Sequence, residues 1–510
     1  MGSLFSLIKE LSILSTKGKD QEIDALCFDS RQAKIGSMFF AIPGTQVDGH
    51  QFLDQVYAQG CKAWLVQDIP TNIPDDVTCI QVADSNAALA EVSCAFYDHP
   101  SSKLNLIGIT GTNGKTTSVT LLFELFKKLG HRCGLISTVQ NMIQDRVIPA
   151  THTTPDALNL NRLLAEMLSN GCSHVFMEVS SHALVQHRAA HVDFDVAVFT
   201  NITRDHLDYH GDMKQYAAAK KKILDLPGIK HVVVNADDSF GQECLQYLAK
   251  KMGDADITVW AYANKSENLL SLPCFAKQSI RKVLATDLQM NDQGMKFQLI
   301  IDGEDVGLIQ TRMVGAFNVS NALAVFACLL AGGKTIKSAK NSIEALQAVQ
   351  GRMELVSRAT AQQPMAVIDF AHTPDALEQV LKTLRDIAEQ RAGQLWCVFG
   401  CGGDRDPLKR PIMGRIAESI ADHVMVTSDN PRSEVPEKIM ADILSGFEVP
   451  EKAQVNADRA TAILQTIRQA KPEDVILIAG KGHEETQEIA GKKHPFSDRV
   501  HVQLAMGGIS

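Results

Sequence analysis

Residues 108–117 read Gly-Ile-Thr-Gly-Thr-Asn-Gly-Lys-Thr-Thr; the apolar run Leu104 to Ile109 leads into them and a helical pattern, Ser118 to Leu129, leaves them. This order predicts a strand, a glycine-rich turn and a helix start with Lys115 at the tip. Such a turn points successive backbone N–H groups and a helix N-terminus at one spot, where the oxygens of a nucleotide triphosphate can be held. ATP or GTP is the ligand expected. The common pattern Gly-x4-Gly-Lys-Ser/Thr would need glycine at 109, where Ile109 stands, with Gly108 and Gly111 on either side. The missing glycine argues against an ordinary GTPase or kinase loop and leaves a phosphate loop of another type.

At 510 residues the chain exceeds what one core usually supports, so several domains are expected. Its 45% hydrophobic and 21% charged content is that of a soluble globular protein. A net charge of −9 argues against a broad nucleic-acid surface, so anionic ligands must be met by local groups of Arg, Lys and backbone N–H. Eleven scattered cysteines, the nearest pair being Cys397 and Cys401, fit a reducing compartment and carry no zinc signature. No apolar stretch reaches the roughly 18 residues of a membrane span. Lys9 and Glu10 interrupt the N-terminal run too early for a signal peptide, and a cytoplasmic location without a membrane partner is expected. Leu4, Leu7, Ile8, Leu11 and Leu14 recur at helical spacing and predict an amphipathic helix there.

Three regions follow. Residues 1–103 read as a mixed α/β domain with apolar runs at Met38 to Ile42 and Ala63 to Val66, closing at Asp98-His99-Pro100-Ser101-Ser102. Residues 104–350 alternate strands (Val175 to Val179, Asp195 to Thr200, Lys230 to Asn235) with helices, the pattern of a parallel sheet with crossovers, and Asp302-Gly303 between Lys296 to Ile301 and Val306 to Thr311 suggests a hairpin. Residues 351–510 hold four apolar strands at Met365 to Phe370, Leu395 to Gly400, His423 to Thr427 and Val475 to Gly480. In doubly wound sheets ligands sit beyond the carboxyl ends of the strands. Six such ends carry polar clusters here, at Glu178 to His182, Asn201 to His206, Asp369 to His372, Gly402 to Asp406, Ser428 to Arg432 and Gly480 to Glu484. Each alone is as readily a solvated turn, but six at corresponding positions imply two active surfaces, one per sheet.

Glu178 and His206 are ligand types that, with Thr116 and a triphosphate, could hold Mg²⁺. Arg188, Arg405, Lys409, Arg410 and Arg432 supply the positive charge that phosphoryl and carboxylate groups need. A phosphate loop and many carboxylate binders, with no nucleophile elbow, point to ATP-driven activation of an acid.

Gly-Thr-Asn-Gly-Lys-Thr-Thr at 111–117, Met-Glu-Val-Ser-Ser-His at 177–182, Thr-Asn-Ile-Thr-Arg-Asp-His-Leu-Asp-Tyr-His at 200–210 and Gly-Arg-Met-Glu at 351–354 closely resemble the Mur ligase family. Asp-Ser-Arg at 29–31, Cys-Gly-Gly-Asp-Arg-Asp at 401–406, Asp-Asn-Pro-Arg at 429–432 and Gly-Lys-Gly-His-Glu at 480–484 are similar to the branch of that family that adds meso-2,6-diaminopimelate. The resemblance covers all three regions in order. It implies a three-domain α/β protein: an N-terminal mixed α/β UDP-binding domain, a central P-loop ATPase-like parallel-sheet domain and a C-terminal Rossmann-like doubly wound domain. It also implies an ADP-forming ligase of peptidoglycan synthesis, which joins diaminopimelate to the D-glutamyl side-chain carboxylate of UDP-N-acetylmuramoyl-L-alanyl-D-glutamate. ATP is the implied co-substrate, Mg²⁺ the cofactor and a monomer the expected state.

Carried over residue by residue, the resemblance gives ATP to Gly111, Thr112, Asn113, Gly114, Lys115, Thr116, Thr117, Asn318, Asn321, Arg352, Asp369 and His372. Lys115, Glu178, His206 and Lys220 become the catalytic group, with Thr116, Glu178, His206 and Lys220 on metal and Lys220 a candidate N6-carboxylysine. Ser30, His50, Thr153, Thr154, Ser180, Gln186 and Arg188 fall to the UDP-muramyl peptide. Arg405, Asp429, Asn430, Pro431, Arg432, Gly480 and Glu484 fall to diaminopimelate. Two departures stand out: Phe370 where the family commonly has Tyr, and Pro407-Leu408 before Lys409-Arg410, both bearing on local loop shape. The alternatives are a lysine-adding ligase, a folylpolyglutamate synthetase-like ligase and a non-catalytic nucleotide switch. Arg432 argues against the first, the Asp-Ser-Arg region against the second and the loaded C-terminal strand ends against the third.

Overall fold

The computed structural model describes residues 2–44, 47–150, 152–251, 257–272, 280–291, 294–357 and 363–507. The chain forms two compact units. The first comprises Met1–Thr110, Phe123–Ala197 and Ala219–Lys230, the second Gly111–Leu122, Val198–Ala218 and His231–Ser510.

In the first unit a five-stranded sheet runs in the order Ile13–Lys17, Thr78–Val82, Ala63–Val66, Ser37–Phe40, Ala25–Cys27, the first pair antiparallel and the rest parallel. Its alternation builds two cores: Met38, Phe40, Ala63 and Leu65 face one side, and Phe39, Ala41, Trp64 and Val66 the other. The N-terminal helix is shorter than the leucine spacing predicts and covers only Leu4–Leu7. Leu4 and Ile8 are buried, but the chain then turns into the strand Ile13–Lys17, where β-branched residues pair with Thr78–Val82 and Leu14 is exposed. Also in this unit, Arg146–Pro149, Gln140–Ile143, Cys133–Ile136, His174–Glu178 and Asn105–Thr110 lie side by side in that order, the last three parallel.

In the second unit His231–Asn235, Thr258–Ala263 and Ile280–Asn291 run parallel, and the predicted hairpin appears as Gly294–Ile301 against Glu304–Thr311. The long strand Ile280–Asn291 was not legible in the sequence because charged and polar residues break its apolar pattern. The C-terminal sheet has the order Glu354–Ser357, Met365–Asp369, Val475–Ala479, Leu395–Phe399, His423–Thr427, Ala453–Asn456, all parallel beyond the first antiparallel pair. All four predicted strands are present. Both faces are covered, Val367, Cys397 and Leu477 packing on one side and Ile368, Val398 and Ile478 on the other. That explains why these strands read as continuous apolar runs.

One buried ion pair ties this sheet together. Arg459 donates from Nε and Nη2 to Asp498 at 2.7 and 2.8 Å, and from Nη2 to the Ala479 carbonyl at 2.9 Å, with both charged side chains fully enclosed. Removing one partner strands the other charge without water. Asp498→Ala should therefore cost roughly 3–5 kcal/mol, read as a lower urea midpoint of the C-terminal transition. A midpoint unchanged from the parent protein would refute this role. Among the described residues the ten cysteines are free and buried, and no helix is long and apolar enough to cross a membrane.

Candidate functional site

The phosphate loop leaves the strand Asn105–Thr110 and enters the helix Lys115–Lys128, as predicted. Its glycines are sterically required. At Gly111 (φ +149°) a Cβ would stand 1.9 Å from Thr200 Oγ1, and at Gly114 (φ +86°) it would stand 2.5 Å from Asn321 Oδ1. The loop is strapped by the segment after strand Val196–Phe199: Thr112 and Asn113 N–H donate to the Asn201 carbonyl and Oδ1, both at 2.9 Å, and Thr200 Oγ1 donates to the Asn113 carbonyl at 2.7 Å. Lys115 Nζ folds over the loop, donating to the carbonyls of Gly111 (2.9 Å) and Thr112 (2.8 Å). Asn321 Nδ2 donates to Asn318 Oδ1 at 3.1 Å, so the two predicted asparagines form one buried pair beside Gly114.

Residues from beyond position 350 reach this loop within the same unit. Arg352 Nη2 donates to Thr116 Oγ1 at 3.2 Å, and Asn113 Nδ2 donates to Asp375 at 3.0 Å. The Arg352 guanidinium lies 4.5 Å above the Phe370 ring. A phenyl face serves this cation–π contact as well as a phenol, which gives the Tyr-to-Phe departure a benign reading. Asp369 accepts from Met353 N–H at 2.7 Å; burial raises its carboxyl pKa, with Arg352 opposing. His372 donates to the Phe370 carbonyl at 2.9 Å, and burial followed by Lys409 lowers its pKa to about 4, so it is neutral at physiological pH.

Asp205, next to His206 in the cluster Asn201 to His206, has the more telling surroundings of the two. Burial works to raise its pKa, but His206, His372, Lys409 and Lys115 surround it and together hold the carboxyl below its usual range. At the start of helix Lys409–Ile420, Lys409 Nζ donates to the His372 carbonyl at 2.8 Å. The only sequence signal for Asp205 is its place between Arg204 and His206. His206 sits at φ +53°, its Nε2 3.3 Å from Asp205.

In the first unit Glu178 ends strand His174–Glu178, fully enclosed, and accepts from Thr138 N–H (2.9 Å) and Thr138 Oγ1 (3.1 Å). Thr138 carries no motif and was not foreseen. It bonds Thr153 Oγ1 at 3.0 Å; Thr154 Oγ1 donates to the Glu178 carbonyl at 2.8 Å and accepts from Ser180 N–H at 3.0 Å. Arg188 donates to the Thr154 carbonyl at 2.9 Å and through Nε and Nη2 to Gln186 Oε1 at 2.9 and 2.6 Å. Thr153, Thr154, Ser180, Gln186 and Arg188 are therefore one hydrogen-bonded cluster around Glu178. At the N-terminal sheet Ser30 is buried, and both ring nitrogens of His50 are engaged: Nδ1 lies 2.7 Å from Asp48 and Nε2 accepts from Gln67 N–H at 3.0 Å. His50 thus braces its loop. Lys220 is buried on helix Met213–Lys221.

The remaining predicted group gathers at the carboxyl ends of the C-terminal sheet. Asn430 Nδ2 donates to Glu484 at 2.7 Å, and Lys481 Nζ bridges Glu484 (2.7 Å) and Asn430 Oδ1 (3.0 Å). Gly480 has φ +112°, and a Cβ there would stand 2.4 Å from Asp429. Arg432 Nη1 donates to the Gly403 carbonyl at 2.7 Å, placing it against the loop that carries the exposed Arg405. Glu434, also unforeseen, receives Asp404 N–H (2.7 Å) and a two-point contact from buried Arg410 (2.9 and 2.7 Å), which lowers its pKa to about 2. Pro407 and Leu408 lead into helix Lys409–Ile420 without breaking it: Leu408 N–H donates to Asp406 (2.9 Å) and Arg410 N–H to the Pro407 carbonyl (3.1 Å). Arg204, Asp208, Arg405 and Leu408 line one cavity of about 520 Å³.

Three family models match in sequence order: "Mur ligase family, catalytic domain" over residues 22–97, "Mur ligase middle domain" over 109–329 and "Mur ligase, glutamate ligase domain" over 351–482. A protein of Cytophaga hutchinsonii is 42% identical over 502 residues, 98% of this chain and 97% of its own. The chain belongs to the Mur ligase family. That relative is named UDP-N-acetylmuramoyl-L-alanyl-D-glutamate--2,6-diaminopimelate ligase, as is a protein of Janthinobacterium sp., 41% identical over 94% of both chains. A solved structure of a ligase with the same name superposes with TM-score 0.67 at 31% identity, covering 96% of this chain and 95% of its own. This Mur ligase has the three-part α/β fold of its relatives.

Proposed function

We propose that this Mur ligase couples ATP hydrolysis to formation of an amide bond between meso-2,6-diaminopimelate and the D-glutamyl side-chain carboxylate of UDP-N-acetylmuramoyl-L-alanyl-D-glutamate. Support comes from the loop at Gly111–Thr117, where Arg352 Nη2 donates to Thr116 Oγ1 at 3.2 Å and Asn113 Nδ2 to Asp375 at 3.0 Å, so that groups from beyond position 350 stand beside the loop proposed to bind triphosphate. A carboxylate is a poor acyl donor because its charge repels nucleophiles and oxide leaves badly. Transfer of the γ-phosphoryl group onto it, releasing ADP, cures both defects. The amine of diaminopimelate then adds to the acyl phosphate, and the tetrahedral intermediate expels phosphate as the amide forms. The protein's task is to position groups and neutralise charge.

Residues 1–103 would hold the UDP end through the loops of Ser30 and His50, residues 104–350 the triphosphate and muramyl peptide, and residues 351–510 the amino acid. Lys115 would neutralise the β- and γ-phosphates, Asn318 and Asn321 would face the nucleotide beside Gly114, and Arg352 would approach it over Phe370. Thr153, Thr154 and Ser180, already bonded into the Glu178 cluster, would orient the dipeptide, and Arg188 would meet its carboxylate.

Enclosed Glu178, held by the two donors of Thr138, is a carboxylate suited to a hard cation, and Thr116, His206 and a carbamylated Lys220 are the other metal ligands that the family resemblance proposes. Mg²⁺ held there would offset the charge that develops on the phosphoryl oxygens. The chain is expected to work as a cytoplasmic monomer. ADP release that requires both the muramyl dipeptide and diaminopimelate is the expected result; ADP release indifferent to either would refute the assignment.

A further inference from the structure

Arg432 is held in a left-handed conformation, φ +51°, which a non-glycine residue keeps only when its surroundings enforce it. The hairpin Thr486–Ile489 with Lys492–Pro495 does the enforcing. Arg432 N–H donates to the Glu488 carbonyl at 3.1 Å, and Ala490 N–H donates to the Arg432 carbonyl at 2.7 Å. Glu488 N–H donates to Asn430 Oδ1 at 2.9 Å, and Gln487 Nε2 to the Asp429 carbonyl at 2.7 Å. The Glu488 carboxylate stands 3.7 Å from Arg432 Nε, while Arg432 Nη1 is engaged by Gly403. The guanidinium is therefore bonded at Nη1 by a carbonyl and faced across Nε by a carboxylate, two groups that bias its orientation.

We infer that Glu488, which lies outside every motif of the resemblance, is a specificity-determining positioning residue. It orients Arg432 so that the guanidinium meets the far carboxylate of the incoming amino acid. This rests on the proposed function. Its signature is selective: lysine lacks that carboxylate, so a misaimed Arg432 costs diaminopimelate and leaves lysine alone. Replacing the side chain leaves the backbone bonds of the hairpin in place, so the fold should persist.

The test compares kcat/KM for diaminopimelate and for lysine, at high enzyme concentration, in the parent protein, Glu488→Ala and Glu488→Gln. In Glu488→Ala the diaminopimelate-to-lysine ratio should fall about tenfold through KM, with KM for ATP and muramyl dipeptide unchanged. Glu488→Gln keeps an oxygen facing Nε and should hold the ratio within about threefold of the parent. A ratio in Glu488→Ala equal to the parent's, or above it, would overturn the inference, and so would a glutamine variant as impaired as the alanine one. A parent protein that does not ligate diaminopimelate would instead defeat the functional reading and this inference with it.

Discussion

Lys115→Ala is expected to remain folded and to lose ligation almost completely. In the structure Lys115 Nζ bonds the carbonyls of Gly111 and Thr112 and contributes to the field that holds Asp205 ionised. Those two bonds stabilise the loop by only about 1 kcal/mol each, so the fold should survive their loss. In the reaction the same ammonium would sit where charge builds on the transferring phosphoryl group. Preorganised positive charge at such a point typically supplies on the order of 10²–10³-fold in kcat. Circular dichroism should show an unchanged spectrum while ADP release falls by at least that factor. Comparable turnover in a folded Lys115→Ala protein would contradict the assignment of the loop to ATP.

The second large effect concerns the amino acid. Diaminopimelate differs from lysine by one carboxylate, and Arg432 is the residue proposed to grip it: it is partly enclosed, held by the Gly403 carbonyl and by the hairpin strand Thr486–Ile489, and next to Asp429 and Asn430. A site built to bond a polar group can reject an analogue lacking it by a factor on the order of 10⁴. Arg432→Ala should lose about 1.5–3 kcal/mol of diaminopimelate binding, roughly ten- to more than a hundredfold. KM for ATP should scarcely move, because Arg432 lies in the loop proposed for the amino acid and not among the residues proposed for ATP. Equal losses for both ligands would mean that the substitution damages the domain as a whole.

The legible part of this molecule is the part governed by local rules. The Gly111–Thr117 loop announced itself because glycine is needed where a Cβ would meet Thr200 or Asn321, and that requirement is written directly as residue type. The C-terminal strands were readable because burial on both faces leaves unbroken apolar runs, as at Val475–Ala479 and Leu395–Phe399. The N-terminal leucine spacing misled because Leu14 obeys helical periodicity by coincidence while Ile13–Lys17 pairs with a strand more than 60 residues away. Thr138 and Glu434 were invisible for a related reason: their partners, Glu178 and Thr153 for the first, Arg410 and Asp404 for the second, are distant in sequence, and no local pattern encodes them. Asp205 lay inside a recognised motif, yet its surroundings come from residues 115, 372 and 409, which only the fold brings together. At His50, proposed for the UDP end, the fold adds the partners Asp48 and Gln67 to a residue whose type alone suggested a ligand.

Whether this chain joins diaminopimelate to the muramyl dipeptide is decided by incubating the purified protein with ATP, Mg²⁺ and UDP-N-acetylmuramoyl-L-alanyl-D-glutamate, supplying diaminopimelate and lysine in equal amounts, and weighing the nucleotide product by mass spectrometry. The expected product is heavier by one diaminopimelate residue and forms together with one ADP. A product carrying lysine in comparable amount would contradict the specificity reading, and recovery of the dipeptide unchanged would contradict the ligase reading itself.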